Sequence, residues 1–138
     1  MLRQIAFGGT VSLANIAVHA MAMIVVIRAA RSAAAKWLSF PSLQLGTVMI
    51  ATVAVLMAAH MCELAIWSVA YAFVGATPEG ADRLYFVFVN YTTLGYGDIL
   101  PVPRWRLIGP MTAMNGVLLF GWSTAVIFEV LSLTLQRK

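Results

Sequence analysis

The chain has 138 residues, of which 62% are hydrophobic and only 10% charged, and its mean hydropathy is +0.89. A water-exposed surface needs far more polar sequence, so the composition excludes a soluble domain and predicts one integral membrane domain. The formal charge of +4 comes from basic residues scattered at the ends of apolar runs, without interleaved aromatics, which points to anionic headgroups and away from nucleic acid.

The first apolar run, Ile5 to Ile27, predicts a transmembrane helix within residues 1–30, because about 20 apolar residues cross hydrocarbon. Arg3 and the sequence Val18-His19-Ala20 imitate a cleavable leader, but the run continues through Met23 to Ile27, so the span is expected to be uncleaved. Gly8, Ser12, Asn15, His19 and Ala22 recur at steps of four and three. They are read as a packing stripe against the small residues Ala51, Ala54 and Ala58 of the next span. His19 has no second ligand at i+4 or i−4 and is not read as a metal ligand.

The second run covers Leu43 to Val74 and contains the lone cysteine, Cys62, read as a small core residue. It is followed by Gly75-Ala76-Thr77-Pro78-Glu79-Gly80, in which Pro78 and Glu79 suit a first helical turn. Ala81 to Tyr91 is apolar but too short to cross, and fits a helix that enters the membrane and stops. After residues 92–98, Pro101 and Pro103 bar helix until the third run, Leu107 to Leu135.

Residues 92–98 read Thr-Thr-Leu-Gly-Tyr-Gly-Asp. This run resembles the selectivity filter of the potassium channel pore-loop family. The resemblance covers residues 43–135: an outer helix 43–74, a pore helix 81–91, the filter 92–98 and an inner helix 105–135, preceded by an additional N-terminal transmembrane helix. It implies an all-α membrane protein with three transmembrane helices plus a re-entrant pore helix and selectivity filter, assembled as a C4 tetramer. In such a filter stacked rings of backbone carbonyls replace the hydration shell of K+. The carbonyls would come here from Thr93, Leu94, Gly95 and Tyr96. Gly95 and Gly97 would adopt backbone conformations closed to other L-residues, Tyr96 would brace the strand, and Asp98 would attract cations at the outer mouth. One filter per chain implies a homotetramer. K+ is the implied bound ion, with no organic cofactor and no soluble partner.

In the third run, Gly116 stands where pore-lining helices of the family carry a hinge glycine, and Val117, Phe120, Thr124 and Phe128 form a stripe expected to line and gate the inner pore. The stretch Phe120-Gly121-Trp122-Ser123-Thr124-Ala125, with His60-Met61-Cys62-Glu63 and Trp67, is similar to small bacterial channel proteins, which implies the bacterial plasma membrane. The family's acidic residue behind the filter is replaced by Val89. An ionisable side chain in a span costs roughly 2.5–3.5 kcal/mol and needs partners. Glu63, with His60 one turn away, Asn115 at similar depth and Asn90 just before the filter, is expected to form a polar cluster that acts as a filter brace or a proton sensor.

An outward-facing filter implies an external N-terminus and a cytoplasmic C-terminus. Arg28, Arg31, Lys36, Arg137 and Lys138 then fall inside, and Arg3, Arg83, Arg104 and Arg106 outside, a weak bias. No catalytic constellation, phosphate loop or arginine ladder is present, so the expected protein is neither an enzyme nor a voltage sensor. The rivals to a potassium channel are a non-conducting regulatory or scaffold subunit with a channel-like fold, and a weakly selective cation pore.

Overall fold

The computed structural model describes residues 1–34 and 41–135; Lys36, Arg137 and Lys138 lie outside them. Helices α1 (Leu2–Ala34), α2 (Pro41–Val74) and α4 (Ile108–Leu135) are long, and α3 (Arg83–Tyr91) is short. A 3-10 turn at Pro103–Trp105 precedes α4, and no strand occurs among the described residues. Three segments, Leu2–Ala33, Ser42–Val74 and Pro103–Leu135, are long and apolar enough to cross a membrane. At 1.5 Å per residue α1 and α2 are each about 50 Å long, well beyond a 30 Å hydrocarbon core, so they tilt or project past it.

The ends of α3 follow local chemistry. Pro78 and Glu79, expected to open this helix, instead form a turn in which the Ala81 N–H meets the Pro78 carbonyl at 3.3 Å and Gly80 takes φ +77°. That left-handed backbone stops a helix from starting there. The expected start at Ala81 moves to Arg83, because Asp82 caps the helix by accepting the Tyr85 backbone N–H at 3.1 Å. The expected start of the inner helix at residue 105 likewise becomes the 3-10 turn, with Pro103 in its first position.

Helix α2 ends in a Schellman motif: Ala76 N–H to Tyr71 O at 3.0 Å and Gly75 N–H to Ala72 O at 3.2 Å, with Gly75 at φ +60°. Helix α3 ends in the same motif, through Leu94 N–H to Val89 O and Thr93 N–H to Asn90 O, both 3.0 Å. Here the left-handed position is held by Thr93, at φ +61°.

Helix α1 packs against both α2 and α4, and α3 fills the space between α2 and α4 at one end. The buried line of α1 is Gly8, Asn15, His19, Met23, Val26 and Ala30. Its expected partners on α2 are not the small residues: Ala51, Ala54 and Ala58 are all exposed. The small residue Gly8 instead faces α4, where a Cβ on it would lie 2.6 Å from Met111 Sδ. Cys62 is also exposed rather than in the core.

The interior has three layers. At the α3 end, Trp67, Tyr71, Phe86, Tyr91, Trp105 and Ile108 pack together. At the other end Met23, Val26, Ala30, Val126 and Val130 form a second apolar cluster. Between them along the helices lie Asn15, His19, His60, Glu63, Asn115 and Ser123, all buried.

Helix α4 passes against α3 at Gly116, where a Cβ would come within 2.0 Å of the Tyr91 carbonyl oxygen. That contact is backbone and cannot rotate away. Gly116→Ala is therefore expected to cost at least 1–3 kcal/mol of stability, the usual range of overpacking. Gly9→Ala, whose Cβ would meet nothing within 4 Å, serves as control. Unfolding in detergent micelles checks this; equal stability of the two variants would refute the close approach.

Candidate functional site: the segment after α3 and the polar layer behind it

Backbone φ changes sign at each step from Thr93 to Gly97. Thr93, Gly95 and Gly97 have φ of +61°, +60° and +75°, and neither Leu94 nor Tyr96 is positive. For the two glycines this backbone carries no steric cost. For Thr93, which is β-branched, it is an outlier that costs on the order of 1–3 kcal/mol and persists only where surrounding structure enforces it. The two C-terminal hydrogen bonds of α3 described above are that enforcement. Thr92 is tied back as well, its hydroxyl donating to Phe88 O at 2.8 Å. At the far end, Tyr85 donates its hydroxyl to Asp98 Oδ2 at 2.8 Å, which fixes the Asp98 carboxylate over the start of α3. That acceptor raises the Tyr85 phenol above its ordinary value, because the phenolate would face the carboxylate. All side chains from Thr93 to Asp98 are exposed in the single chain, Leu94 at 54% and Tyr96 at 68%.

Behind α3 the central group is Glu63, fully buried on α2. Its Oε1 lies 2.7 Å from His19 Nδ1 of α1, and its Oε2 lies 2.9 Å from His60 Nδ1. Tyr91, the last residue of α3, donates its hydroxyl to the same Oε2 and also lies 2.9 Å from His60 Nδ1. The other ring nitrogens converge on α4: His60 Nε2 and His19 Nε2 stand 3.0 and 3.1 Å from Ser123 Oγ. Glu63, His19, Ser123 and His60 thus close a ring of side-chain contacts drawn from three helices, and Tyr91 attaches α3 to it.

The expected cluster therefore needs revision. His60 and Glu63 do meet. Asn115 joins an adjoining set instead: its Oδ1 accepts from Asn15 Nδ2 at 3.0 Å and from Trp67 Nε1 at 2.9 Å. Asn90 stays out. Its Nδ2 donates to Phe86 O at 3.0 Å, and its Oδ1 faces Gly109 of α4, 3.1 Å from where a Cβ would stand. His19, Tyr91 and Ser123 are members that sequence reasoning missed. A usable signal was present in Asn15 and His19, two polar groups one turn apart on an otherwise apolar span, since neither can be left unpaired in hydrocarbon. Ser123 carried none, because serine is also a common small packing residue.

Among the described residues, donor atoms of His19, His60 and Glu63 lie within 4.8 Å of one another, close enough to consider a metal ion. Both carboxylate oxygens and all four ring nitrogens already face hydrogen-bond partners, however, so the geometry is that of a satisfied hydrogen-bonded ring.

On α4, Thr112, Asn115, Gly116, Leu119, Ser123, Val126 and Val130 are buried. Val117, Phe120, Thr124 and Phe128 are exposed, Phe128 at 69%. Phe120 bridges the two environments: one edge is open, while its ring packs 4.8 Å from His60 and 5.4 Å from Tyr91. The helix runs unbroken through Gly116, where the absent side chain allows close approach to α3.

A profile described as ion channel matches residues 45–133, from early α2 nearly to the end of α4. The chain belongs to the ion channel family. No curated protein and no solved structure matches it. With three membrane-capable helices, this is an integral membrane protein of the channel class. Helix α1 lies outside the matched part of the channel, yet it contributes His19 and Asn15 to the polar layer.

Removing the carboxylate tests the layer. Glu63→Leu leaves His19, His60 and Tyr91 facing an apolar group, and is expected to destabilise the channel by about 3–5 kcal/mol, as when one partner of a buried pair is deleted. Glu63→Gln retains an oxygen and an amide in the same volume and is expected to lose much less. Unfolding titrations in lipid–detergent bicelles measure both; a stable Leu variant would mean that the ring does not hold the helices together.

Proposed function

We propose that this ion channel is potassium-selective and carries K+ passively, in single file, through a four-fold filter built from the carbonyls of Thr93, Leu94, Gly95 and Tyr96. The observation that carries the reading is the alternation of φ sign through Thr93, Gly95 and Gly97, including a strained threonine. Alternating hand turns successive carbonyls toward one side, which is what a row of cation sites needs. The segment also begins at the C-terminus of α3, where the helix dipole favours cations.

Four copies are required, because one chain carries one such segment and a closed ring of identical subunits supplies the rest. The exposure of Leu94 and Tyr96, and of Val117, Phe120, Thr124 and Phe128, supports an assembly in which neighbouring subunits and a shared cavity meet these side chains. In this homotetramer Asp98 stands at the outer mouth, Gly97 gives the turn toward it, and Phe120 and Phe128 form the apolar constriction. The N-terminus is external and the C-terminus cytoplasmic, in a bacterial plasma membrane.

Reconstituted into liposomes with a potassium gradient, the protein is expected to pass K+ and to exclude Na+. Gly95→Ala is expected to abolish that flux. Within one chain an added Cβ there would come no nearer than 3.8 Å to an atom beyond its immediate neighbours, so inside the subunit the cost is the left-handed backbone and not a clash. Comparable Na+ flux would make it a weakly selective pore, a correctly assembled but silent protein a non-conducting subunit, and a native mass other than that of four chains would overturn the architecture.

Dewetting of an apolar constriction stops ions without a plug. Phe128→Ala is therefore expected to raise single-channel open probability or conductance, read in planar bilayers. Unchanged currents for both Phe128→Ala and Phe120→Ala would place the restriction elsewhere.

A further inference from the structure

The ring of Glu63, His19, Ser123 and His60 has a proton count that its geometry dictates. Each Nδ1 faces a carboxylate oxygen, so each must carry hydrogen if Glu63 is ionised. Tyr91 already directs its hydroxyl hydrogen to Oε2. Turning that hydrogen to His60 would leave Oε2 against two lone pairs. Both Nε2 atoms then face one hydroxyl, at 3.0 and 3.1 Å. A serine hydroxyl has a single hydrogen to give. It can satisfy one bare Nε2, and the other must bring its own hydrogen.

We propose that this ring is a buried binding site for one proton, held in excess of a carboxylate and two neutral imidazoles and shared between His19 and His60 through Ser123. With one such proton every contact has one donor and one acceptor. The ring then contains a carboxylate and an imidazolium and is electrically neutral. With none, an Nε2 lone pair faces an oxygen lone pair and the bundle buries a net negative charge. With two, both rings donate to Ser123 Oγ, the serine hydrogen has no acceptor in the ring, and a net positive charge is buried. Either alternative leaves an unpaired polar group and an uncompensated charge in an apolar surround, each disfavoured. The proton sits on imidazole rather than on Glu63 because three groups, His19 Nδ1, His60 Nδ1 and the Tyr91 hydroxyl, converge on the two carboxylate oxygens, and donors aimed at a carboxylate favour its charged form. Moving it from one ring to the other needs only the reversal of the Ser123 hydroxyl, with no change of heavy-atom positions.

The ionisable groups in contact here are His19 from α1, His60 and Glu63 from α2, and Tyr91 from α3. Helix α4 contributes the Ser123 hydroxyl and the rings of Phe120 and Trp122. Occupancy of the site therefore bears on the last residue of α3 through Tyr91 and on the exposed α4 face through Phe120.

The chain has two histidines and both belong to the ring, so nitrogen NMR of tag-free, 15N-histidine-labelled channel in bicelles reads the site directly. At neutral pH the expected spectrum integrates to one imidazolium per chain, averaged over both rings. Glu63→Gln is expected to show none. Its amide donates to His19 Nδ1, which lets His19 Nε2–H reach Ser123, Ser123 reach His60 Nε2, and His60 Nδ1–H reach the Gln oxygen, a closed ring of neutral groups. Ser123→Ala, which keeps Glu63, is expected to retain one imidazolium but to pin it, giving one charged and one neutral ring without averaging. Two neutral rings in the wild type, two imidazolium rings, or an imidazolium that survives Glu63→Gln would each overturn the proposal. So would one zinc ion per chain on the purified protein by elemental analysis. None of these readouts depends on which ion the channel carries or on whether it conducts.

Discussion

A carboxylate buried where three apolar helices meet has to be answered by other side chains, and the rest of the structure is arranged around Glu63 accordingly. Helix α1 brings His19, α2 brings His60 from the preceding turn, α3 brings its terminal Tyr91 and α4 closes the circle with Ser123. Apolar contact between helices in lipid gains little over contact with lipid itself, so packing and interhelical hydrogen bonds decide how such helices associate. One polar layer between two apolar clusters therefore sets both rotation and depth. Sliding α1 by one turn would carry His19 away from Glu63 and Asn15 away from Asn115 together.

The second constraint is on backbone. Helix α3 is held at its start by the Asp82 cap and at its end by a Schellman motif whose left-handed position is Thr93. The same motif at the end of α2 uses Gly75, without strain. Placing a β-branched residue in that geometry stores free energy in the segment that follows; the two hydrogen bonds that close the motif hold it, while Tyr91, anchored to Glu63 and close against Gly116, fixes the helix itself. The buried ring and the strained segment thus act on the same short helix from opposite sides. The polar layer fixes the end of the short helix from which residues 92–98 leave.

Helix α1 is bound into the channel along its whole inner face. The profile of the ion channel family covers only α2 to α4. Nevertheless Gly8 admits Met111, Gln4 Oε1 accepts the Leu107 backbone N–H at 2.9 Å, and Phe7 packs edge-on to Trp105 at 5.5 Å. These contacts hold α1 against the start of α4, while His19 reaches the ring. The extra helix is an integral part of the polar layer: the stripe of Gly8, Asn15 and His19 that its pattern predicts does face inward, but it meets Met111, Glu63, Asn115 and Ser123 rather than the small residues of α2.

Composition and period alone determined the membrane class, the number of long apolar helices and the short helix between the second and third, because hydrocarbon thickness and the cost of unpaired backbone leave few alternatives. The glycines of residues 92–98 also marked where the backbone turns left-handed, since few other residues go there. The pairing of polar groups was legible only in part. His60 and Glu63 lie one turn apart on one helix, so their meeting could be read from spacing. His19 is 44 positions from Glu63 and Ser123 is 104 from His19, and whether such residues meet depends on the rotation and depth of separate helices. Asn90 and Asn115 were equally plausible by position, yet a rotation of each helix by a fraction of a turn sends one to Gly109 and the other to Asn15 and Trp67. Sequence sets which groups must be satisfied; only tertiary packing selects which partner satisfies each, because in an apolar surround every unpaired group is penalised alike and the choice among partners is geometric.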